Sequence, residues 1–206
     1  MKKSLKNDAK EVLAAYKAHL ESYVIQNDSL ACLLKTYPYH TNKAAVATKV
    51  KLLNLFYSTG IMATNTMVEH IFSIKDIDAR LANGDKSLVG EISTLQLGNT
   101  VRNNYSFATK YCAYHQPEKY PIYDRLVAET FVALLGKDLL PKYKKYKSYA
   151  KKSFAEKLKE YNFYVTLYDY FMDEFDLKNF SYREVDAYIW GACKIDQNFE
   201  IKKLKK

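Results

Sequence analysis

Lys110 and Asp124 are the residues whose types and spacing point most directly to chemistry. Lys110 falls within a segment of helical periodicity from about Ser106 to His115. Asp124 opens the next expected helix, about Asp124–Leu135, with Gly136 as its C-cap. Between them Gln116-Pro117-Glu118-Lys119-Tyr120-Pro121 is a loop, because both prolines block helix continuation. A carboxylate at a helix N-terminus is electrostatically favoured and stays ionised. An amine one helix away reaches the same space if the two helices pack as a hairpin. Such a pair suits a reaction that builds positive charge on a sugar. The carboxylate stabilises an oxocarbenium-like state, and the amine attacks the anomeric carbon to form a Schiff base. Spacing alone also admits a plainer reading, with Asp124 a routine N-cap and Lys110 a surface lysine.

A second concentration of chemistry lies in residues 137–160, which hold nine lysines against three acids, with Tyr143, Tyr146 and Tyr149 interleaved at every third position. Lysines bind phosphate by charge, and tyrosines stack on bases or hydrogen-bond sugars. The same run also reads as a solvated helix face with its tyrosines turned inward. Across the whole chain 32 basic residues face 23 acidic ones, a formal charge of +9, which favours a polyanionic partner, nucleic acid or an anionic membrane surface.

Other chemistries lack their residues. Cys32, Cys112 and Cys193 lie far apart, so neither a disulfide framework, a zinc ribbon nor an iron–sulfur loop is expected. His19, His40, His70 and His115 form no short ligand pair, and no metal or other cofactor is expected. No P-loop and no Ser-His-Asp order appears. No apolar run reaches the length of a membrane span, and the start MKKSLKNDAKEV turns polar where a leader needs an apolar core. The expectation is a monomer in an intracellular, reducing compartment, with no membrane partner.

The elements that must position these groups are helices. The chain has 206 residues, 48% hydrophobic and 27% charged, enough for one large domain or two small lobes. Only 6 glycines and 4 prolines are present, too few turn residues for a β-sandwich or a βαβ fold. Residues 8–34 are apolar at helical spacing, with a restart expected at Asp28-Ser29. Further helices are expected over 42–57 with Asn42 as N-cap, over 64–81, and over 86–97. An aromatic helix follows over 161–175, then a last helix capped by Ser181. That makes eight to ten helices and no strand.

The segment Ser106-Phe-Ala-Thr-Lys110, followed by Tyr120-Pro-Ile-Tyr-Asp124-Arg-Leu-Val127, resembles the core motif of the helix-hairpin-helix DNA glycosylases. It is most similar to their divergent prokaryotic 8-oxoguanine DNA glycosylase-like branch. The resemblance covers about residues 98–136. Ser106-Phe107-Ala108 stands where those enzymes have a Gly-hydrophobic-Gly turn, so the hairpin is degenerate, and the Lys110–Asp124 interval is short. The resemblance implies an all-α fold of two helical lobes with a cleft between them, lobe one about 42–136 and lobe two about 1–41 plus 137–206. It implies double-stranded DNA as partner and excision of a flipped base, oxidised, alkylated or modified in foreign DNA. Asp124 becomes the catalytic carboxylate and Lys110 the nucleophile that adds a lyase step. Ser106, Thr109, Ser58 and Thr59 become DNA contacts, the last two as a wedge beside Tyr57. Lys142, Lys144, Lys145 and Lys147 grip the backbone, and Tyr123, Tyr188 and Trp190 line the base pocket. The rivals are a non-catalytic helical nucleic-acid-binding module and a protein-interaction domain.

Overall fold

The structure is a computed structural model and describes residues 4–142, 151–195 and 199–205. The described residues form twelve helices and one two-stranded sheet, a predominantly helical protein. They divide into two compact units, one built from residues 1–21 and 123–206 and the other from residues 22–122. The two expected lobes divide elsewhere, for a packing reason. Asn27 of α2 (Glu21–Thr36) bonds to Tyr57 and Tyr114, which places α2 with the 22–122 unit. Phe131 of α8 (Arg125–Lys142) packs on Tyr164, Tyr168 and Phe171 of α10 (Tyr161–Glu174), which places α8 with the other.

The 22–122 unit is centred on α3 (Lys43–Tyr57), which packs on α4 (Thr64–Ser73) and α7 (Tyr105–His115). Asn42 caps α3 as expected, its side chain accepting from the N–H groups of Ala44 and Ala45. The buried stripe of α3 is Val46, Lys49, Val50 and Leu53, at the 3, 4 and 7 spacing of one helix face, with a lysine in an apolar register position. Beyond α4 come α5 (Ile77–Asn83) and α6 (Ser87–Ser93), the latter packed on α7 through Leu88, Val89 and Ile92.

Where a helix is expected over 86–97, the chain leaves α6 at Ser93 and forms an antiparallel hairpin, β1 (Thr94–Leu97) and β2 (Thr100–Asn103). Leu97 pairs with Thr100, leaving Gly98-Asn99 as a two-residue turn. Gly98 takes φ of 56°, which glycine adopts without a Cβ clash, and glycine at the first central position matches a II′ turn. Alternation around Leu95, the one buried residue of the ribbon, overrides the short helical pattern.

In the other unit α1 (Lys6–His19) packs on α11 (Tyr182–Lys194). The helices approach at Gly191, where a Cβ would lie 3.1 Å from Tyr16 Cδ2 and 3.2 Å from Val12 Cγ1. The break between α1 and α2 falls at Leu20 rather than at Asp28-Ser29, because Val12 and Tyr16 face α11 while Leu30 and Leu34 belong to the other unit. Helix α8 runs through Gly136 to Lys142 instead of ending there. One helical glycine costs only about 1 kcal/mol, and the next stop signal, Pro141, comes five residues later, near the end of the helix. Ser181 caps α11 with the full reciprocal box, its hydroxyl accepting from Glu184 N–H while the Glu184 carboxylate accepts from Ser181 N–H. Two short helices complete the unit, α9 (Lys151–Lys157) and α12 (Glu200–Lys205).

Candidate functional site

Lys110 is no surface lysine: it is 3% exposed on the inner face of α7. Its ammonium donates to Ser106 Oγ, one helical turn earlier, at 2.7 Å. It also lies 5.3 Å from the centre of the Tyr57 ring, at the end of α3. An ammonium removed from water needs such partners, a hydroxyl and an aromatic face. The Tyr57 hydroxyl in turn donates to Asn27 Oδ1 at 2.8 Å and lies 2.6 Å from the Tyr114 hydroxyl, which also bonds to Asn27. Lys110 and Tyr114 are four residues apart on α7, so one helix face addresses Tyr57 from both sides. Helices α2, α3 and α7 thereby hold the amine through three aromatic or amide side chains.

Ser106 is therefore a partner of Lys110. Thr109, expected as a DNA contact, is 0% exposed and its hydroxyl donates to the Ser106 carbonyl, on the packed side of α7. Ser106, Phe107 and Ala108 lie in the first turns of α7 itself. Ahead of Asp124, Tyr120 is buried, and its hydroxyl donates to the Asp85 carbonyl at 3.0 Å, which anchors the proline loop.

In the other unit Asp124 caps α8, its Oδ1 accepting from Leu126 N–H at 2.8 Å. Tyr123 is half-buried and meets Tyr164 edge-on at 5.4 Å. Burial, and then the neighbouring Asp124 charge, push its phenol pKa up. Tyr188, expected in the base pocket, packs within this unit. It is fully buried and its hydroxyl donates to Asp8 Oδ2 at 2.6 Å, while the Asp8 carboxylate also accepts from Glu200 and Ile201 N–H. It ties α1, α11 and α12 together. Trp190 is half-buried, edge-on to Tyr16 at 6.1 Å, with the Lys194 ammonium 5.5 Å from its ring.

Ser58 and Thr59 sit on a turn organised by Asn54, whose Oδ1 accepts from Thr59 Oγ1 at 2.7 Å and from Ile61 N–H at 3.0 Å. Ser58 is exposed and left-handed, with φ of 45°. Met62 just beyond is 96% exposed. Lys142 ends α8 with its side chain outside the described residues, and Lys144, Lys145 and Lys147 lie outside them altogether.

A buried polar cluster in the 22–122 unit lies outside the residues singled out by type and spacing. His40 donates from Nδ1 to Asp78 Oδ1 at 2.6 Å and accepts at Nε2 from the Tyr111 hydroxyl at 2.8 Å. His115 stacks on His40 at 4.8 Å and is hydrogen-bonded to the Pro38 backbone, while its Nε2 is buried with no hydrogen-bond partner among the described residues. Lys49, 2% exposed, donates to the Tyr39 carbonyl at 3.3 Å. Burial pushes the Lys49 pKa down to about 8, against the opposing charge of Asp78. Burial also depresses both histidines, His40 against its bond to Asp78 and His115 with the Lys49 charge adding to the effect. Residues 40, 49, 78, 111 and 115 share no local motif. The only hint is a lysine in the apolar stripe of α3.

No helix among the described residues is long and apolar enough to cross a membrane. A family model described as an N-terminal domain, HI_0787_N, matches residues 8–119. An uncharacterized protein of Haemophilus influenzae is 34% identical over 147 residues, 70% of this chain. The chain spans 64% of the length of that relative. No solved structure matches.

Proposed function

We propose that this chain, which belongs to the HI_0787_N family, is a DNA N-glycosylase with an accompanying lyase step. The duplex is held by its backbone, one modified nucleotide is turned out, and the bond from base to deoxyribose is broken. The motif resemblance assigns Asp124 the role of stabilising the developing oxocarbenium charge. The Lys110 amine attacks the anomeric carbon, and the base leaves with the bonding electrons of the glycosidic bond. Loss of the amine proton and ring opening give a Schiff base, from which elimination cuts the strand. Ser106 and Tyr57 act as positioning residues that orient Lys110.

The observation that carries the reading is the buried Lys110, donating to Ser106 Oγ at 2.7 Å within the Ser-Phe-Ala-Thr-Lys segment. Burying an ammonium is costly, and a lysine serving only solubility is placed in water. The formal charge of +9 adds support for a polyanionic partner.

The test is an incision screen over duplexes carrying different modified bases, with borohydride present to trap the Schiff base. Wild type releases one class of base and is trapped on DNA, while Lys110→Gln is not trapped. Asp124→Asn keeps the cap and DNA binding but loses base release. Base release by Lys110→Gln at full rate means water is the nucleophile and the enzyme is monofunctional. Full activity of Asp124→Asn refutes the assignment. DNA binding without any base release leaves the non-catalytic nucleic-acid-binding module.

A further inference from the structure

The segment Tyr37-Pro38-Tyr39-His40 joins α2 to α3, and each of its four residues is tied by a polar contact to a different part of the 22–122 unit. Tyr37 N–H donates to the Leu33 carbonyl of α2 at 2.9 Å. The Pro38 backbone is bonded by His115 of α7. The Tyr39 carbonyl accepts from Lys49 of α3 at 3.3 Å. His40 gives its backbone N–H to Asp78 Oδ2 at 3.1 Å, and its ring bridges Asp78 Oδ1 and the Tyr111 hydroxyl. Three of these ties use ionisable side chains held out of water, an expensive way to fix a loop. Yet the two aromatic rings do not join the core: Tyr37 is 47% exposed and Tyr39 63%. The backbone is locked while the rings face solvent.

A locked backbone bearing exposed aromatic rings lowers the ordering cost of a stacking contact. The charge around it selects the ligand. From Ser29 to Val68 the chain contains no Asp or Glu, while Lys35, Lys43, Lys49 and Lys51 fall in that span. The acid that does face the loop, Asp78, has both carboxylate oxygens engaged by His40. Lys43 is paired with Glu69 at 2.6 Å. The surroundings favour an anionic ligand with a flat apolar face, and a nucleotide has both.

We propose that Tyr37-Pro38-Tyr39 is a preorganised platform that stacks an unpaired nucleobase of DNA. It rests on the reading of the chain as a DNA-binding protein. The backbone ties make His40, Lys49 and His115 positioning residues, and Tyr37 and Tyr39 the contact residues.

The test is fluorescence anisotropy with two labelled duplexes, one fully paired and one carrying a run of unpaired thymines, over a range of salt. Wild type binds the unpaired duplex more tightly. Tyr37→Ala/Tyr39→Ala loses that preference, about ten- to hundredfold in affinity, from stacking worth about 1–3 kcal/mol per base. Tyr37→Phe/Tyr39→Phe keeps it, because the rings remain. The salt slope is unchanged in both variants, since no phosphate contact is removed. Equal affinity of wild type and the alanine variant for the unpaired duplex overturns the platform and leaves DNA binding standing. Failure of wild type to bind either duplex overturns the platform together with the DNA reading. Capture of a proline-rich or acidic peptide at these rings, with no DNA bound, does the same.

Discussion

Replacing Lys49 with methionine stabilises this protein at neutral pH. Lys49 occupies an apolar position of α3, is 2% exposed, and has a hydrogen bond to the Tyr39 carbonyl at 3.3 Å. Its pKa falls from 10.5 to about 8, with burial the largest cause. At 1.36 kcal/mol per pKa unit, keeping the ammonium charged in the fold at pH 7 costs about 3 kcal/mol. Methionine has a similar unbranched length and no charge, so it fills the space and removes that cost. The lost hydrogen bond returns about 1 kcal/mol to the other side, leaving a net gain of about 2 kcal/mol. The pH dependence has a definite sign. The folded pKa lies below the unfolded one, so the cost is fully present below pH 8 and disappears as pH rises to 10.5. Wild-type stability therefore climbs relative to Lys49→Met across that window. Urea unfolding of both proteins at pH 7 and pH 9.5 measures the gap, and tyrosine ionisation, common to both, cancels in the difference. A methionine variant less stable than wild type at pH 7, or a gap that ignores pH, refutes the argument.

Four further outcomes are open to measurement. Tyr111→Phe removes the donor to His40 Nε2 and should cost about 1–3 kcal/mol in chemical denaturation, the price of an unsatisfied buried acceptor. His40 and His115 both have pKa values depressed below 6.5, so stability should be full above that pH and fall as pH drops through their folded values. His115→Phe should flatten part of the decline. Gly191→Val should lower thermal stability by about 1–3 kcal/mol, because even a bare Cβ would sit 3.1 Å from Tyr16, and an unchanged melting temperature would contradict that close approach. Reversing Lys142, Lys144, Lys145 and Lys147 to glutamate should weaken duplex binding and flatten its salt dependence by about 0.9 per lost phosphate contact, whereas an unchanged slope would assign them to a solvated face.

The helical character, the Asn42 and Ser181 caps and the Asp124 helix start were legible because each depends on neighbours in sequence. A cap is a side chain reaching a backbone N–H two or three residues on, and an amphipathic stripe repeats every turn. The Gly98-Asn99 turn carried a readable signal as well, but Leu88, Ile92 and Leu95 continue helical spacing into a run where only Leu95 and Leu97 show strand spacing. Gly136 misled for the opposite reason, since glycine is permissive and ends a helix only where the backbone turns left-handed. The roles of Tyr188 and Thr109 were not legible. Whether a tyrosine lines a pocket or pins three helices depends on an aspartate 180 positions away in the chain. The His40 cluster is the same case, drawing Asp78 and Tyr111 from separations of 38 and 71 residues.

The discontinuous unit has a consequence for the order in which this chain folds. Residues 22–122 form a contiguous compact unit and can pack among themselves as soon as they leave the ribosome. Helix α1 is made before that unit, but its partner α11 and the Asp8 contacts to α12 are made after it, the latter 193 positions away at Ile201. Closing so long a loop costs about 3 kcal/mol more chain entropy than closing one of about ten residues. The cost falls if the intervening unit has already condensed and no longer counts as flexible chain. Synthesis thus leaves the apolar face of α1, with Val12 and Tyr16, waiting in water until α11 is made. Val12 and Tyr16 are where a chaperone or an aggregating neighbour would find this protein before it is finished.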